Sequence, residues 1–198
     1  MNIVFDLGGV VLTWNPDAII SGVFQNPETQ ALVRREIFEH GDWLELDRGV
    51  LDPVDAAARG ATRTGLPHSE VAVLLDRVPG SLVPIPGTVD LLYRLKASGH
   101  PLYCLSNMHV ASIEHLERAH AFWEVFSGTV ISCRVHMIKP EPGIYTHLLE
   151  TQSLVASETV FIDDVEVNLR AAEASGIRTI HFRDPDQCEE QLRALDCQ

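Results

Sequence analysis

The sequence predicts an α/β fold: a doubly wound parallel sheet with a wholly helical insert after its first strand. Three observations carry this expectation. Short apolar runs recur along the chain, each followed by a helical pattern. The runs are apolar on both faces and rich in β-branched and aromatic residues, as strands covered by helices on both sides are. One stretch, from about Trp14 to Leu82, carries helical patterns and no convincing strand.

Ile3-Val4-Phe5 forms the first expected strand. The others are Leu102-Tyr103-Cys104-Leu105, Thr129-Val130-Ile131-Ser132, Thr159-Val160-Phe161-Ile162 and Thr179-Ile180-His181-Phe182. Within the insert, helical patterns run through residues 17–24, 28–40, 52–59 and 69–77. Pro53 behind Asp52 reads as a first-turn proline behind its cap. Pro79, Gly80, Pro84, Pro86 and Gly87 mark a linker. Core helices are expected over 89–98, with Val89, Leu92, Tyr93 and Lys96 at helical spacing, and over 110–120, 143–152 and 168–175. Gly176 stops the last of these. The core therefore comprises residues 1–13 and 83–198, and the insert residues 14–82.

The chain has 198 residues, 45% hydrophobic and 22% charged, enough for one sizeable core without disulfides or structural metal. Its 15 basic and 28 acidic residues give a formal charge of −13. So acidic a protein repels nucleic acid and anionic membrane, and neither is expected as a partner. A phosphorylated substrate would be repelled too, unless a cation sat in the site. Cys104, Cys133, Cys188 and Cys197 are dispersed without a CxxC pair, which argues against zinc and for free thiols in a reducing cytoplasm. The N-terminal stretch has no basic region and is interrupted by Asp6, so no signal peptide is expected. No apolar run approaches the ~18 residues of a membrane span. A monomer or weak dimer is the expected state.

Four strand ends or following loops carry reactive side chains. Asp6 follows the first strand before Gly8-Gly9. A carboxylate there can attack phosphorus in line and form an acyl phosphate that water then hydrolyses. Asp163 and Asp164 follow Phe161-Ile162. With Asp6 and a backbone carbonyl such as that of Gly8, they suit magnesium, which takes carboxylates, water and phosphate oxygens. Asn168 is a candidate to close the loop behind the metal. Ser106 and Asn107 follow Leu105 and offer a hydroxyl and backbone N–H groups to phosphoryl oxygens. Lys139, before Pro140, offers a counter-charge to nucleophile and phosphate. Each residue alone reads equally as a cap, turn or surface group. Four together, each beyond a different strand, point to a phosphoaspartyl site.

Four segments occur in order: Phe5-Asp6-Leu7-Gly8-Gly9-Val10, Leu105-Ser106-Asn107, Lys139-Pro140-Glu141-Pro142-Gly143-Ile144-Tyr145, and Phe161-Ile162-Asp163-Asp164-Val165-Glu166-Val167-Asn168. In these the chain resembles the haloacid dehalogenase-like hydrolase superfamily, over essentially its whole length. The likeness is to the branch with a helical cap after the first motif, and within it to phosphatases acting on glucose 1-phosphate. Trp43-Leu44-Glu45-Leu46-Asp47-Arg48-Gly49-Val50 looks like that branch's cap. The resemblance implies a Rossmann-like core, Mg2+ as cofactor, and a small phosphorylated metabolite as substrate, a sugar phosphate for instance, with an anomeric phosphate as one form. It implies Asp6 as phosphoryl acceptor, Ser106 on the phosphate and Lys139 as stabiliser. Asp163 would be a metal ligand and Asp164 a ligand or its neighbour. Trp43 and Arg48 are cap candidates for holding substrate.

The chain departs from the superfamily's phosphatases at Gly8, where most carry a second aspartate that protonates the leaving oxygen. General acid–base help is worth ~10²–10⁴-fold. Another group then supplies the proton, or the substrate leaves easily, as from an anomeric hydroxyl, or the chain is a slow or degenerate hydrolase kept as a binding protein. His40, Glu45, Asp47 and His109 are the candidate substitutes. A haloacid dehalogenase, in which Asp6 would attack carbon, is the other enzyme alternative; the acidic pair Asp163-Asp164 weighs against it.

Overall fold

The computed structural model describes residues 1–196; Cys197 lies outside the described residues. The chain opens with β1 (Asn2–Phe5) and leaves the sheet for a helical insert: α1 (Pro16–Ser21), α2 (Pro27–Val33), α3 (Gly41–Arg48), α4 (Pro53–Thr64) and α5 (His68–Ser81). The core resumes with α6 (Pro86–Ala97), β2 (Leu102–Ser106), α7 (Val110–Ala119), β3 (Phe126–Ile131) and the one-turn α8 (Ser132–Val135). It closes with α9 (Pro142–Thr151), β4 (Thr159–Asp163), α10 (Glu166–Ala174), β5 (Arg178–His181) and α11 (Pro185–Asp196).

All five strands are parallel, in the order β3-β2-β1-β4-β5. The chain builds outward from β1 to β2 and β3, then crosses back to place β4 on the other side of β1. The carboxyl ends of β1 and β4 therefore flank a topological switch point, where open α/β sheets bind their ligands.

Why the central strands are apolar on both faces is visible in where alternate residues go. Ile3 and Phe5 join Leu102, Cys104, Val160 and Ile162 in one cluster, which includes Leu91 and Leu92 of α6 and Ile113 and Leu116 of α7. Val4, Leu105 and Phe161 face the opposite way, into a cluster with Tyr145 and Leu148 of α9 and Leu169 of α10. Both layers are packed, so neither face tolerates polar residues. The edge strands β3 and β5 are only partly buried, unlike the fully covered strands expected there. The insert has a separate core, in which Ile19, Ile20, Val33, Trp43, Leu46, Val71 and Leu74 meet.

Several expected boundaries shift. The single helix expected over 28–40 is α2 running into a π-helical turn, Arg34–Phe38. His40 then begins a new helix: its Nδ1 accepts from Asp42 N–H at 3.1 Å, capping α3. Ser132, expected at the end of a strand, starts α8. The linker shrinks because Pro79 and Gly80 lie inside the last turn of α5, while Pro86 opens α6. A proline is tolerated in both places: late in a helix it forfeits one bond, and at the first position none. As expected, Asp52 caps α4 through Val54 N–H, and Gly176 takes a positive φ just beyond α10. No helix among the described residues is long and apolar enough to cross a membrane.

Candidate active site

Asp6, Ser106 and Asp163 stand at the carboxyl ends of β1, β2 and β4, and Lys139 reaches them from the loop before α9. Parallel pairing in register sets Phe5 beside Cys104 and Ile162, so Asp6 and Asp163, one residue on, and Ser106, two residues on, share one sheet edge. Lys139 Nζ lies 2.9 Å from Asp6 Oδ1 and 2.7 Å from Asp163 Oδ2, with all three side chains buried. The ammonium also sits over the Phe161 ring, 5.2 Å from its centroid. Asp163 accepts from Val165 N–H at 2.7 Å and from Asn168 Nδ2 at 3.1 Å and 3.2 Å. Asn168 therefore closes the loop behind the acidic pair, and Tyr145 fixes it by donating to its carbonyl at 2.9 Å.

Asp164 is more open, beside Gly9. Gly9 has a φ of +78°, and a Cβ there would run into the Asp164 carboxylate. Only glycine gives both the backbone conformation and the room. Gly8 differs: a Cβ there would meet just the Cβ of Trp14, at 3.8 Å.

One carboxylate oxygen from each of Asp6, Asp163 and Asp164 lies within 4.8 Å of the other two. Three carboxylates against one ammonium leave an excess of negative charge. Burial pushes the Asp6 pKa up to about 7, reinforced by the Asp163 charge and only partly offset by Lys139 and by the Ser106 hydroxyl. Burial and Asp163 push Asp164 up as well. Burial alone would lower the Lys139 pKa, but Asp6 and Asp163 hold it above the usual lysine value. A cluster of hard oxygen donors short of positive charge fits Mg2+, with Asp6, Asp163, Asp164 and the Gly8 carbonyl as its candidate holders.

The raised Asp6 has a consequence for stability. Between pH 3.8 and about 7 the folded chain holds a proton that the unfolded chain has lost, so stability falls as pH rises through that window. Thermal unfolding of the metal-free protein should show this decline relative to Asp6→Asn. Magnesium should raise Tm more at pH 8 than at pH 5. Parallel pH profiles for the two proteins would contradict the assignment.

A cavity of about 190 Å³ opens from these residues. Asp6, Gly8, Ser106, Lys139 and Asp164 line it, and so do the apolar Trp14, Trp43, Val78, Leu82 and Met108. Asp47, His109 and Ser112 complete the wall. The insert thus caps the sheet edge. Trp43, read from the sequence as a cap contact, does line the cavity, its ring tilted against Phe38 at 4.7 Å and Trp14 at 5.7 Å.

Two candidates are placed otherwise. Arg48 lies in the last turn of α3, not in a cap loop, and does not line the cavity. Its guanidinium is taken up by both carboxylate oxygens of Glu141, at 2.6 Å and 2.7 Å, which ties the cap to the core. Asn107 lines the cavity, but its amide grips the Lys139 backbone, donating to the carbonyl at 2.9 Å and accepting from the N–H at 2.8 Å. Its side chain thus positions Lys139. Of the four candidate proton donors, His40 caps α3 and Glu45 faces Arg59, whereas Asp47 and His109 line the cavity. Trp14, Met108, Ser112 and Ser132 have no site role in the sequence reading. Ser112 lies one turn beyond His109, a spacing that offered a signal; Ser132 offered none.

A family model described as haloacid dehalogenase-like hydrolase matches residues 1–176. The chain is 31% identical over 192 residues to a sesquiterpene phosphatase, AstK, of Aspergillus oryzae, covering 97% of this chain and 94% of that one. A haloacid dehalogenase-family enzyme of Bacteroides thetaiotaomicron superposes with a TM-score of 0.73 at 25% identity, over 92% of this chain and 93% of its own. That structure is an aspartate-to-alanine mutant in complex with magnesium and inorganic phosphate. An L-2-haloacid dehalogenase of Xanthobacter autotrophicus shares the fold, with a TM-score of 0.64 at 17% identity over 90% of this chain and 75% of its own. With a family model spanning nearly nine-tenths of its length and the four motif segments gathered at one sheet edge, the chain belongs to the haloacid dehalogenase-like hydrolases.

Proposed function

We propose that the protein is a magnesium-dependent phosphate monoester hydrolase that forms a phosphoaspartyl intermediate on Asp6 and releases an apolar alcohol. The observation that carries this reading is the mixed lining of the cavity. Carboxylates, Lys139 and Ser106 line it together with two tryptophans, a valine, a leucine and a methionine. Bound Mg2+ would neutralise the phosphate and polarise its oxygens. Asp6 would attack phosphorus while Lys139 and the Ser106 hydroxyl hold the transferring group.

The apolar wall favours a hydrocarbon over the sugar suggested by the family branch. A sugar would bury hydroxyls among the indole rings of Trp14 and Trp43 and the aliphatic side chains of Val78 and Leu82. The relative named a sesquiterpene phosphatase points the same way. Dehalogenation fits less well, since a haloacid would bring a fourth carboxylate to the Asp6, Asp163 and Asp164 cluster. The buried free thiols Cys104, Cys133 and Cys188 accord with a cytoplasmic enzyme. A monomer or weak dimer acting on small molecules completes the reading.

A series of straight-chain alkyl phosphates from ethyl to hexyl tests it. Each methylene buried against the wall is worth ~0.8 kcal/mol, or about fourfold. With magnesium, kcat/KM should climb by up to that factor per step and exceed that for glucose 1-phosphate at hexyl. A flat series, with the sugar phosphate fastest, would overturn the apolar assignment. No magnesium-dependent turnover of any ester would leave a binding protein.

A further inference from the structure

The phosphatase reading leaves one step unassigned: protonation of the departing alcohol. Gly8 has no side chain, and Lys139 is held by the nucleophile and Asp163. In an in-line displacement the donor must stand away from the nucleophile, on the leaving-group side. Two titratable side chains from opposite parts of the fold meet in the cavity that Asp6 also lines. Asp47 comes from the cap helix α3, and His109 from the turn after β2. His109 Nδ1 lies 3.5 Å from Asp47 Oδ1, and its Nε2 lies 3.0 Å from Ser112 Oγ. The Trp43 ring meets the imidazole edge-on, with centroids 5.6 Å apart. Both side chains are about nine-tenths buried.

The pair is built rather than incidental. The buried Ser132 hydroxyl donates to the Asp47 carbonyl and accepts from Met108 N–H at 2.8 Å, pinning the backbone on both sides of the contact. Gly49 ends α3 with a φ of +74°, and a Cβ there would lie 2.5 Å from the Cys133 carbonyl oxygen, so the helix end abuts α8 as only glycine permits. The Arg48–Glu141 pair closes the same junction. Ser112 occupies Nε2, and Nδ1 is turned toward Asp47 at a distance longer than a formed charge-assisted bond of about 2.7–2.9 Å. Nδ1 is therefore not closed by a formed bond to Asp47.

We propose that His109 is the general acid and base of the reaction and that Asp47 is its positioning residue, together replacing the carboxylate missing at Gly8. This rests on the phosphatase reading. An Asp6 oxygen bonds to phosphorus as the bond from phosphorus to the alcohol oxygen breaks. The electron pair stays on that oxygen, which takes the proton from His109 Nδ1, and the alcohol leaves. Water then gives its proton back to Nδ1 as it attacks the same phosphorus. The phosphorus–Asp6 bond breaks, restoring the carboxylate and releasing phosphate.

The test compares hexyl phosphate, which needs a proton on its leaving oxygen, with p-nitrophenyl phosphate, which needs little help. At saturating magnesium, His109→Gln should lower kcat/KM for hexyl phosphate ~10²–10⁴-fold and for p-nitrophenyl phosphate less than about tenfold. Asp47→Asn should show the same selectivity with a smaller loss. Adding Gly8→Asp to His109→Gln should restore much of the hexyl phosphate rate, since a Cβ at that position meets no closer atom than Trp14 Cβ at 3.8 Å. Equal losses on both esters in a folded variant, or no loss on hexyl phosphate, would overturn the assignment. If His109→Gln loses its cooperative thermal transition, Asp47→Asn decides by the same criterion. Failure of the phosphatase reading looks different: the unmodified protein would turn over neither ester with magnesium, and this proposal would fall with it.

Discussion

Asp6→Asn is expected to lower kcat/KM by about 10⁴-fold or more on good and poor leaving groups alike, because loss of a nucleophile is not rescued by the groups around it. The substitution is close to isosteric and removes only the attacking oxygen's charge. It should leave the fold intact for a specific reason. Asp6 is buried and its pKa is pushed up to about 7, so ionising it at neutral pH works against folding. Without metal at pH 8, Asp6→Asn should therefore unfold at a Tm no lower than the unmodified protein. It should also lose much of the stabilisation by magnesium, having lost one of three carboxylates. An inactive variant with a much lower Tm would mean that Asp6 is a structural acid.

Lys139→Met is expected to have the largest effect on stability. Its ammonium bridges Asp6 at 2.9 Å and Asp163 at 2.7 Å, and it is 3% exposed. Removing one partner of a buried ion pair typically costs about 3–5 kcal/mol, because the charges left behind are unpaired. Methionine keeps most of the volume, so the loss would report charge and not a cavity. Acid should recover part of it, since protonation relieves stranded carboxylates, and so should magnesium. Activity should fall ~10²–10³-fold, the usual scale for removing a preorganised group that stabilises transition-state charge. Urea unfolding at pH 8 and pH 5, with and without magnesium, reads all three effects. A loss below about 1 kcal/mol at pH 8 would show that the bridge contributes little.

The edge of the sheet that carries the candidate site was legible because its residues are fixed by one local pattern. A central strand is uniformly apolar, so the first polar residue after it, Asp6, Ser106 or Asp163, stands out against the run. The helices that stayed hidden have inverted patterns. In α3, two of the four buried residues are acids, Asp42 and Asp47, which blurs any amphipathic stripe. Asp42 is buried because Arg59 and Arg63 cover it, a partnership between α3 and α4. In α11, the strongly polar composition leaves Cys188 and Leu192 as the fully buried side chains among its described residues.

Contacts between cap and core were illegible for a simpler reason. Arg48 finds Glu141 across 93 residues, and Ser132 finds Asp47 across 85. Residue type alone suggests that an arginine near a site binds phosphate; only the fold reveals that this one is already paired. The same distance concealed the Asp47–His109 contact, although both residues were among the candidates for the missing proton donor.

Capture of the intermediate tests the central claim most directly. The protein, mixed with magnesium and a large excess of substrate, is quenched in acid during turnover, digested and examined by mass spectrometry. The account predicts one added phosphoryl group on the peptide containing Asp6, reduced to homoserine at that position by borohydride. Rapid turnover with the phosphoryl group on another residue, or on none, would contradict it.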